Sequence, residues 1–393
     1  MEKLTLKDIS LFKKRVLMRV DFNVPLNEDL KITDDTRIQA TLPTIKYILE
    51  QKPTKLILMS HLGRPEGKRD PKYSLKPVAE RLSVLLGQKV KFLDDCVGEG
   101  IRKEIEDSPE KIVLLENLRF YPDEEKNDPV FARELASLGD IFVNDAFGTA
   151  HRAHASTEGI THYLTSIAGL LLEKEIQYLG KTLERPLRPF VVILGGAKVS
   201  DKIGVIENLL PKSDTLLIGG GMAYTFLYAL DKKIGNSKLE KDKVLIAKEI
   251  LDKAKQLKKD LVLPIDHLVV EKIEKGVPSE IVGQDIPEGK IAVDIGPKTV
   301  EEFKKRLKNA KTILWNGPLG IFEIDDFAKG TYEIASFIGD LSATTIIGGG
   351  DTASAIVKFR LQDKMTHIST GGGASLEFME GKVLPGIKAL TDK

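Results

Sequence analysis

Val191-Val192-Ile193-Leu194-Gly195-Gly196-Ala197-Lys198-Val199-Ser200-Asp201-Lys202 joins an apolar run, a glycine pair and two lysines within one short stretch. Three later runs share its form: Leu216-Leu217-Ile218-Gly219-Gly220-Gly221, Ile346-Ile347-Gly348-Gly349-Gly350 and Ile368-Ser369-Thr370-Gly371-Gly372-Gly373. A buried strand that ends in glycine lets a ligand or another backbone come close. In an open α/β sheet, ligands sit at the carboxyl ends of the strands. Four such endings predict a bare-backbone floor for something flat and phosphorylated; the plainer alternative is four tight strand-to-helix turns.

Outward from these runs, short apolar segments alternate with amphipathic ones along the whole chain. That rhythm predicts βα units and mostly parallel sheets. Expected strands in the first half are Val16–Val20, Leu56–Met59, Val90–Leu93, Ile112–Leu115 and Ile141–Val143, with helices over Thr41–Gln51 and Leu75–Leu86. In the second half, strands are expected to begin at Val191, Thr215, Leu261, Thr312, Thr344 and His367, with helices over Lys241–Lys258 and Thr299–Leu307. Leu170–Leu179 reads as a helix between the halves, stopped by Arg185-Pro186-Leu187-Arg188-Pro189, because proline disfavours helix at and before its own position.

The 393 residues correspond to about two domains. A formal net charge of +1 provides no global field towards nucleic acid or acidic membranes. The single cysteine, Cys96, excludes an intrachain disulfide and a cysteine-built metal cage, and fits the cytoplasm. The N-terminus lacks the apolar core of a signal peptide, and no uncharged run approaches a membrane span. Abundant Lys and Glu would suit a heat-loving source.

The first-half strands end in polar groups: Asp21-Phe22-Asn23, Ser60-His61-Leu62-Gly63-Arg64, Glu116-Asn117-Leu118-Arg119 and Asn144-Asp145, with His151-Arg152-Ala153-His154 beyond. Converging strand ends would bring Arg64, Arg119 and Arg152, joined by Arg37, to one pocket suited to phosphate or carboxylate. His61 is a candidate donor or acid–base group. The histidines near Arg152 lack zinc spacing and interleaved aromatics. In the second half, Gly195–Lys202 is read as opening a helix, with Lys198 and Lys202 on one face around an anion. Asp351 is read as a helix cap or a magnesium ligand, and Glu323 as a ribose acceptor. No Walker A pattern, protein-kinase Asp-Phe-Gly or Gly-x-Gly-x-x-Gly opening is present. A dehydrogenase on a doubly wound sheet lacks its glycine fingerprint, and a non-catalytic nucleotide binder is the other rival.

Arg19-Val20-Asp21-Phe22-Asn23-Val24-Pro25 resembles the opening signature of the phosphoglycerate kinase family. Ser60–Pro65, Leu115–Phe120, Gly148–His154, Gly195–Lys202, Trp315–Pro318, Gly348–Thr352 and Ser369–Ser375 resemble its later segments, so the likeness spans essentially the whole chain. The resemblance implies two Rossmann-like α/β lobes, each a mostly parallel sheet flanked by helices. These would be residues 1–169 with the tail from about 384 to 393, a hinge helix and linker over 170–188, and a nucleotide lobe over 189–383. It implies reversible, magnesium-dependent phosphoryl transfer between 1,3-bisphosphoglycerate and ADP after hinge closure, without a tightly bound organic cofactor. Asp21, Phe22, Asn23, Arg37, His61, Leu62, Gly63, Arg64, Arg119 and Arg152 would hold phosphoglycerate. Lys202, Gly219, Gly220, Glu323, Gly349, Gly350, Asp351 and Thr352 would hold nucleotide, with Asp351 on the metal. Arg37 and Lys198 would be catalytic, and the Gly371, Gly372 and Gly373 amides would donate to the transition state. The expected partners are these substrates alone, with no nucleic acid and no membrane, for a cytoplasmic monomer. Ala292 departs from the glycine that the family often sets against adenine.

Overall fold

The computed structural model describes residues 2–393, and every count of elements here is a count among the described residues. The chain forms two compact units: one runs up to Gln177 and takes in Val383–Lys393, the other is Tyr178–Lys382.

The first unit is built on β1 (Arg15–Arg19), β2 (Lys55–Met59), β3 (Val90–Phe92), β4 (Ile112–Leu114), β5 (Ile141–Asn144) and β6 (Ser166–Ala168). They pair in parallel in the order β3-β4-β2-β1-β5-β6. Alternate residues point to opposite faces of a strand. Val16, Met18, Leu56 and Leu58 therefore enter one apolar cluster, and Leu17, Ile57 and Met59 another. Both faces are covered, so the strands read as continuous apolar runs. The order reverses between β1 and β5, the place where an open sheet leaves a crevice at its carboxyl edge.

The second unit contains β7 (Phe190–Leu194), β8 (Thr215–Ile218), β9 (Asp260–Val262), β10 (Asp266–Val270), β11 (Glu280–Gly283), β12 (Ile291–Ile295), β13 (Thr312–Asn316), β14 (Thr344–Gly348) and β15 (His367–Ile368). Six of them form a parallel sheet in the order β15-β14-β13-β7-β8-β9, with its reversal between β7 and β13. The remaining three form an antiparallel sheet, β11-β10-β12.

Three sequence expectations need correction. The first long helix starts at Thr36 and carries Pro43 in its interior, because the Asp34 carboxylate accepts from the Thr36 backbone at 2.9 Å and sets the start earlier. The helix between the halves is α-helical only over Leu170–Glu175, continues as π-helix over Ile176–Lys181 and ends at Thr182–Glu184. Gly195–Lys202 opens no helix: helix begins at Ile203, and Lys202 is its flanking residue. Glu240 holds that loop open, accepting from the Val199 and Ser200 amides at 2.5 and 3.2 Å and from the Ser200 hydroxyl at 2.6 Å. Lys198 and Lys202 thus share a loop, not a helical face. Among the described residues no helix is long and apolar enough to cross a membrane.

Candidate active site

At the carboxyl edge of the first sheet Asp21 joins Asn23 and Arg37, and Asn23, Gly63, Arg119 and Arg152 form a linked chain with Glu125. The Asp21 carboxylate holds the Arg37 guanidinium at 2.6 Å and accepts from the Asn23 amide at 3.2 Å. Asn23 Oδ1 in turn accepts from the Gly63 amide at 2.9 Å. Arg119, nearly buried, donates to the Gly63 carbonyl at 2.9 Å and lies 3.4 Å from Glu125, which Arg152 approaches at 4.0 Å. Asn117 pins the same loop by donating to the Leu62 and Tyr73 carbonyls at 2.7 and 2.9 Å. Gly63 sits at a φ of +61°, and a side chain there would strike the Tyr73 ring. Phe22 is fully buried, and its amide donates to Ser60 Oγ at 2.9 Å. Arg64 is exposed.

His61 is buried, and its Nδ1 lies 3.2 Å from Arg19 Nη2. A guanidinium only donates. Nδ1 is therefore the acceptor, and the neutral ring carries its proton on Nε2. Burial, then the charges of Arg19, Arg119 and Arg37, hold the imidazole well below its usual pKa. His61 is thus a neutral donor. Arg19 is the residue that sequence reasoning left out. It is completely buried, donates to Ser156 Oγ at 2.8 Å and faces the buried Glu124, which accepts from Ser156 at 2.6 and 2.9 Å. Its position at the end of an apolar strand, β1, hid a side chain that reaches His61.

In the second unit the glycine runs meet one another. Gly196 donates to the Pro318 carbonyl at 2.9 Å and Gly220 to the Leu319 carbonyl at 3.2 Å. A Cβ on Gly220 would come within 2.7 Å of the Gly196 backbone, so these loops pack main chain on main chain. Gly219 abuts the Leu319 side chain. The Gly350 and Gly372 positions, by contrast, have open space in front of them. Beside this floor lies a cavity of about 320 Å³ lined by Gly196, Gly220, Tyr224, Ala292, Glu323 and Asp351, among others. Asp351 occupies the first turn of helix Gly350–Lys358, and Thr352 Oγ1 accepts from the Gly317 amide at 2.6 Å. Lys198 is exposed. Lys202 is half-buried and donates to Asn316 Oδ1; burial lowers its pKa against the pull of Asp201 and Asp351. Asn316, inside the Trp315–Pro318 segment, carries no signal of its own in the sequence, yet its buried Nδ2 is an unpartnered donor facing Gly349. Gly371 already donates to Ser369 Oγ at 3.2 Å, and Gly372 flanks helix Gly373–Met379.

A larger cleft of about 780 Å³, lined by Asp29, Asp34, Asp35, Glu80, Lys31 and Arg81 among others, carries none of the predicted site residues. Its acidic bias is the wrong sign for an anionic substrate.

The family model described as phosphoglycerate kinase matches residues 6–382. The phosphoglycerate kinase of Pseudothermotoga lettingae is 56% identical over 396 aligned residues, covering all of both chains. That of Koribacter versatilis is 57% identical over 406, again covering both completely. Among solved structures, the phosphoglycerate kinase of Coxiella burnetii superposes with a TM-score of 0.91 at 42% identity, over 98% of each chain. That of Pyrococcus horikoshii does so with 0.85 at 34% identity, also over 98% of each.

Proposed function

The chain belongs to the phosphoglycerate kinase family, and on that premise we propose that it transfers phosphoryl directly and in line between 1,3-bisphosphoglycerate and ADP, with magnesium. The acid-binding set is Asp21, Asn23, Arg37, His61, Arg64, Arg119 and Arg152, with Phe22, Leu62 and Gly63 shaping the loop. One observation carries the reading: Arg119 and Arg152 share a single carboxylate, Glu125, at 3.4 and 4.0 Å. A cluster so short of negative charge is suited to a multiply anionic substrate. His61, neutral, gives a hydrogen bond from Nε2 and takes no phosphoryl group.

Lys202, Asn316, Gly349, Gly350 and Thr352 bind the nucleotide phosphates, Gly219 and Gly220 support the floor, and Glu323 accepts from the ribose. Among the described residues no cluster of three His, Cys, Asp or Glu side chains can hold a metal on its own. A lone carboxylate, Asp351, fits magnesium that arrives on nucleotide phosphates. Bound there, the metal would neutralise phosphate charge. Phosphoryl transfer spreads charge over three oxygens and needs positioning and positive charge more than covalent help. Arg37, Lys198 and the amides of Gly371, Gly372 and Gly373 provide it. Residues 170–188 serve as the hinge between the acid-binding and nucleotide-binding domains, and the enzyme works as a cytoplasmic monomer. A coupled assay with 3-phosphoglycerate and Mg-ATP tests the activity. Transfer of a chiral phosphoryl group should invert its configuration; retention, or a trapped phosphoenzyme, rejects the direct route.

A further inference from the structure

Two polar side chains of the first unit have no part in the chemistry above, yet both are completely buried: Glu124, in the short helix Pro122–Glu125, and Ser156, in the turn that follows β5. Arg19, at the end of β1, is completely buried as well, so its charge works only through the groups it holds. Each bond among them has one possible direction, because a guanidinium only donates and an ionised carboxylate only accepts. Arg19 Nε donates to Ser156 Oγ at 2.8 Å, and Ser156 gives its single hydroxyl proton to Glu124 Oε1 at 2.6 Å. The Ser156 amide donates to Glu124 Oε2 at 2.9 Å. At the other end, Arg19 Nη1 donates to the Val20 carbonyl and Nη2 to His61 Nδ1 at 3.2 Å. Burial pushes the Glu124 carboxyl up, while Arg19 and then the two Ser156 bonds pull it down. The ionised form is the one that leaves the Ser156 hydroxyl an acceptor, and it faces a buried cation that needs such a partner.

We infer that Glu124 and Ser156 are positioning residues for His61: acting through Arg19, they fix the imidazole with Nδ1 as acceptor and keep Nε2–H as the donor offered to the acid substrate. The inference rests on the acid-binding assignment of His61. Arg19 alone does not suffice. Without Ser156 its Nε is a buried donor with no acceptor, a costly state. The flexible side chain then turns towards another partner and takes Nη2 off the ring. His61 is left to adopt either neutral tautomer, and the one protonated at Nδ1 presents a lone pair at Nε2, which an anion repels. The chain of bonds moves no proton; it selects a tautomer. The Ala155 amide donates to the Glu124 carbonyl at 3.0 Å, so main chain ties the two segments independently of these side chains.

The test reads the His61 ring by proton–nitrogen correlation in protein carrying isotope-labelled histidine, assigned with His61→Gln, and measures KM for 3-phosphoglycerate and for Mg-ATP. Wild type should show His61 protonated at Nε2 alone; a ring protonated at Nδ1 overturns the inference before any variant is made. Ser156→Ala should bring the Nδ1-protonated form to a comparable population and raise KM for 3-phosphoglycerate roughly tenfold, with KM for Mg-ATP unchanged. Glu124→Gln keeps the size of the side chain and should act in the same direction, because a carboxamide accepts at one atom only and cannot take both Ser156 bonds. Lost packing alone would lower the melting temperature and leave the tautomer ratio where it was, and that result overturns the inference. A shifted ratio with KM for 3-phosphoglycerate unmoved overturns the link to the acid substrate. The ring is read without ligand, so a wild type that turns over no substrate would reject the kinase reading while the spectra still decide whether Glu124 and Ser156 position His61.

Discussion

Single residues decide the chemistry. Lys198 is exposed on a loop that Glu240 organises, so its removal costs little packing. In the proposed mechanism its charge matters most when the phosphoryl group is in flight. Lys198→Ala should lower kcat by about 10²–10³-fold with nucleotide affinity little changed; an effect confined to KM would remove it from the catalytic set. Asp294 is a buried carboxyl of another kind. It accepts from the Ile295 and Gly330 amides at 2.9 and 2.6 Å, yet burial raises its pKa from 3.8 to about 7. The unfolded chain loses this proton near 3.8, whereas the folded chain keeps it to about 7. Its contribution is fully present below the lower value and lost as pH rises through the upper one. Between pH 5 and 8, urea unfolding should show wild type losing roughly 2–3 kcal/mol relative to Asp294→Asn. A pH-independent difference would show that Asp294 titrates normally.

At the scale of elements, the parallel strands were legible because burial on both faces writes them as apolar runs. Their observed bounds differ from the expected ones by about a residue. β6 was missed because it is three residues long and holds a single large apolar side chain, Ile167. The antiparallel sheet was missed because β11 is mostly exposed and β10 opens with Asp266 and His267. Much of the apolar wall of the cavity of about 320 Å³, including Ile291, Ala292 and Val293, was therefore invisible as structure, although Ala292 stood out as a residue. Motifs pointed to the residues proposed to touch ligands but not to those that hold them in place: Arg19 beside His61, Glu240 under the Lys198 loop. The terminal segment is a further element with a measurable role. Leu384, Ile387 and Leu390 are buried, Asn144 donates to the Gly386 carbonyl at 3.1 Å, and Lys3 donates to the Lys388 and Leu390 carbonyls at 2.7 Å. Removing residues 383–393 should destabilise the first unit by about 5 kcal/mol, a large part of what a domain has. Thermal unfolding unchanged by the deletion would contradict that packing account.

At the scale of the whole molecule, each unit has its own sheet, its own core and its own set of site residues. The residues proposed to bind the acid belong to one, and those proposed to bind the nucleotide belong to the other. Transfer needs the two substrates to meet with water excluded, so turnover is proposed to require closure of the units about the helical segment. Small-angle scattering should give a smaller radius of gyration with 3-phosphoglycerate and Mg-nucleotide bound together than with either alone; identical curves would reject closure. The return of Val383–Lys393 to the first unit has a consequence for biosynthesis. On the ribosome, the strands of the first unit leave the exit tunnel early, yet their closing peptide emerges only after all of Tyr178–Lys382. The later-translated half can settle while the earlier one is still waiting, which reverses the usual vectorial order of a nascent chain.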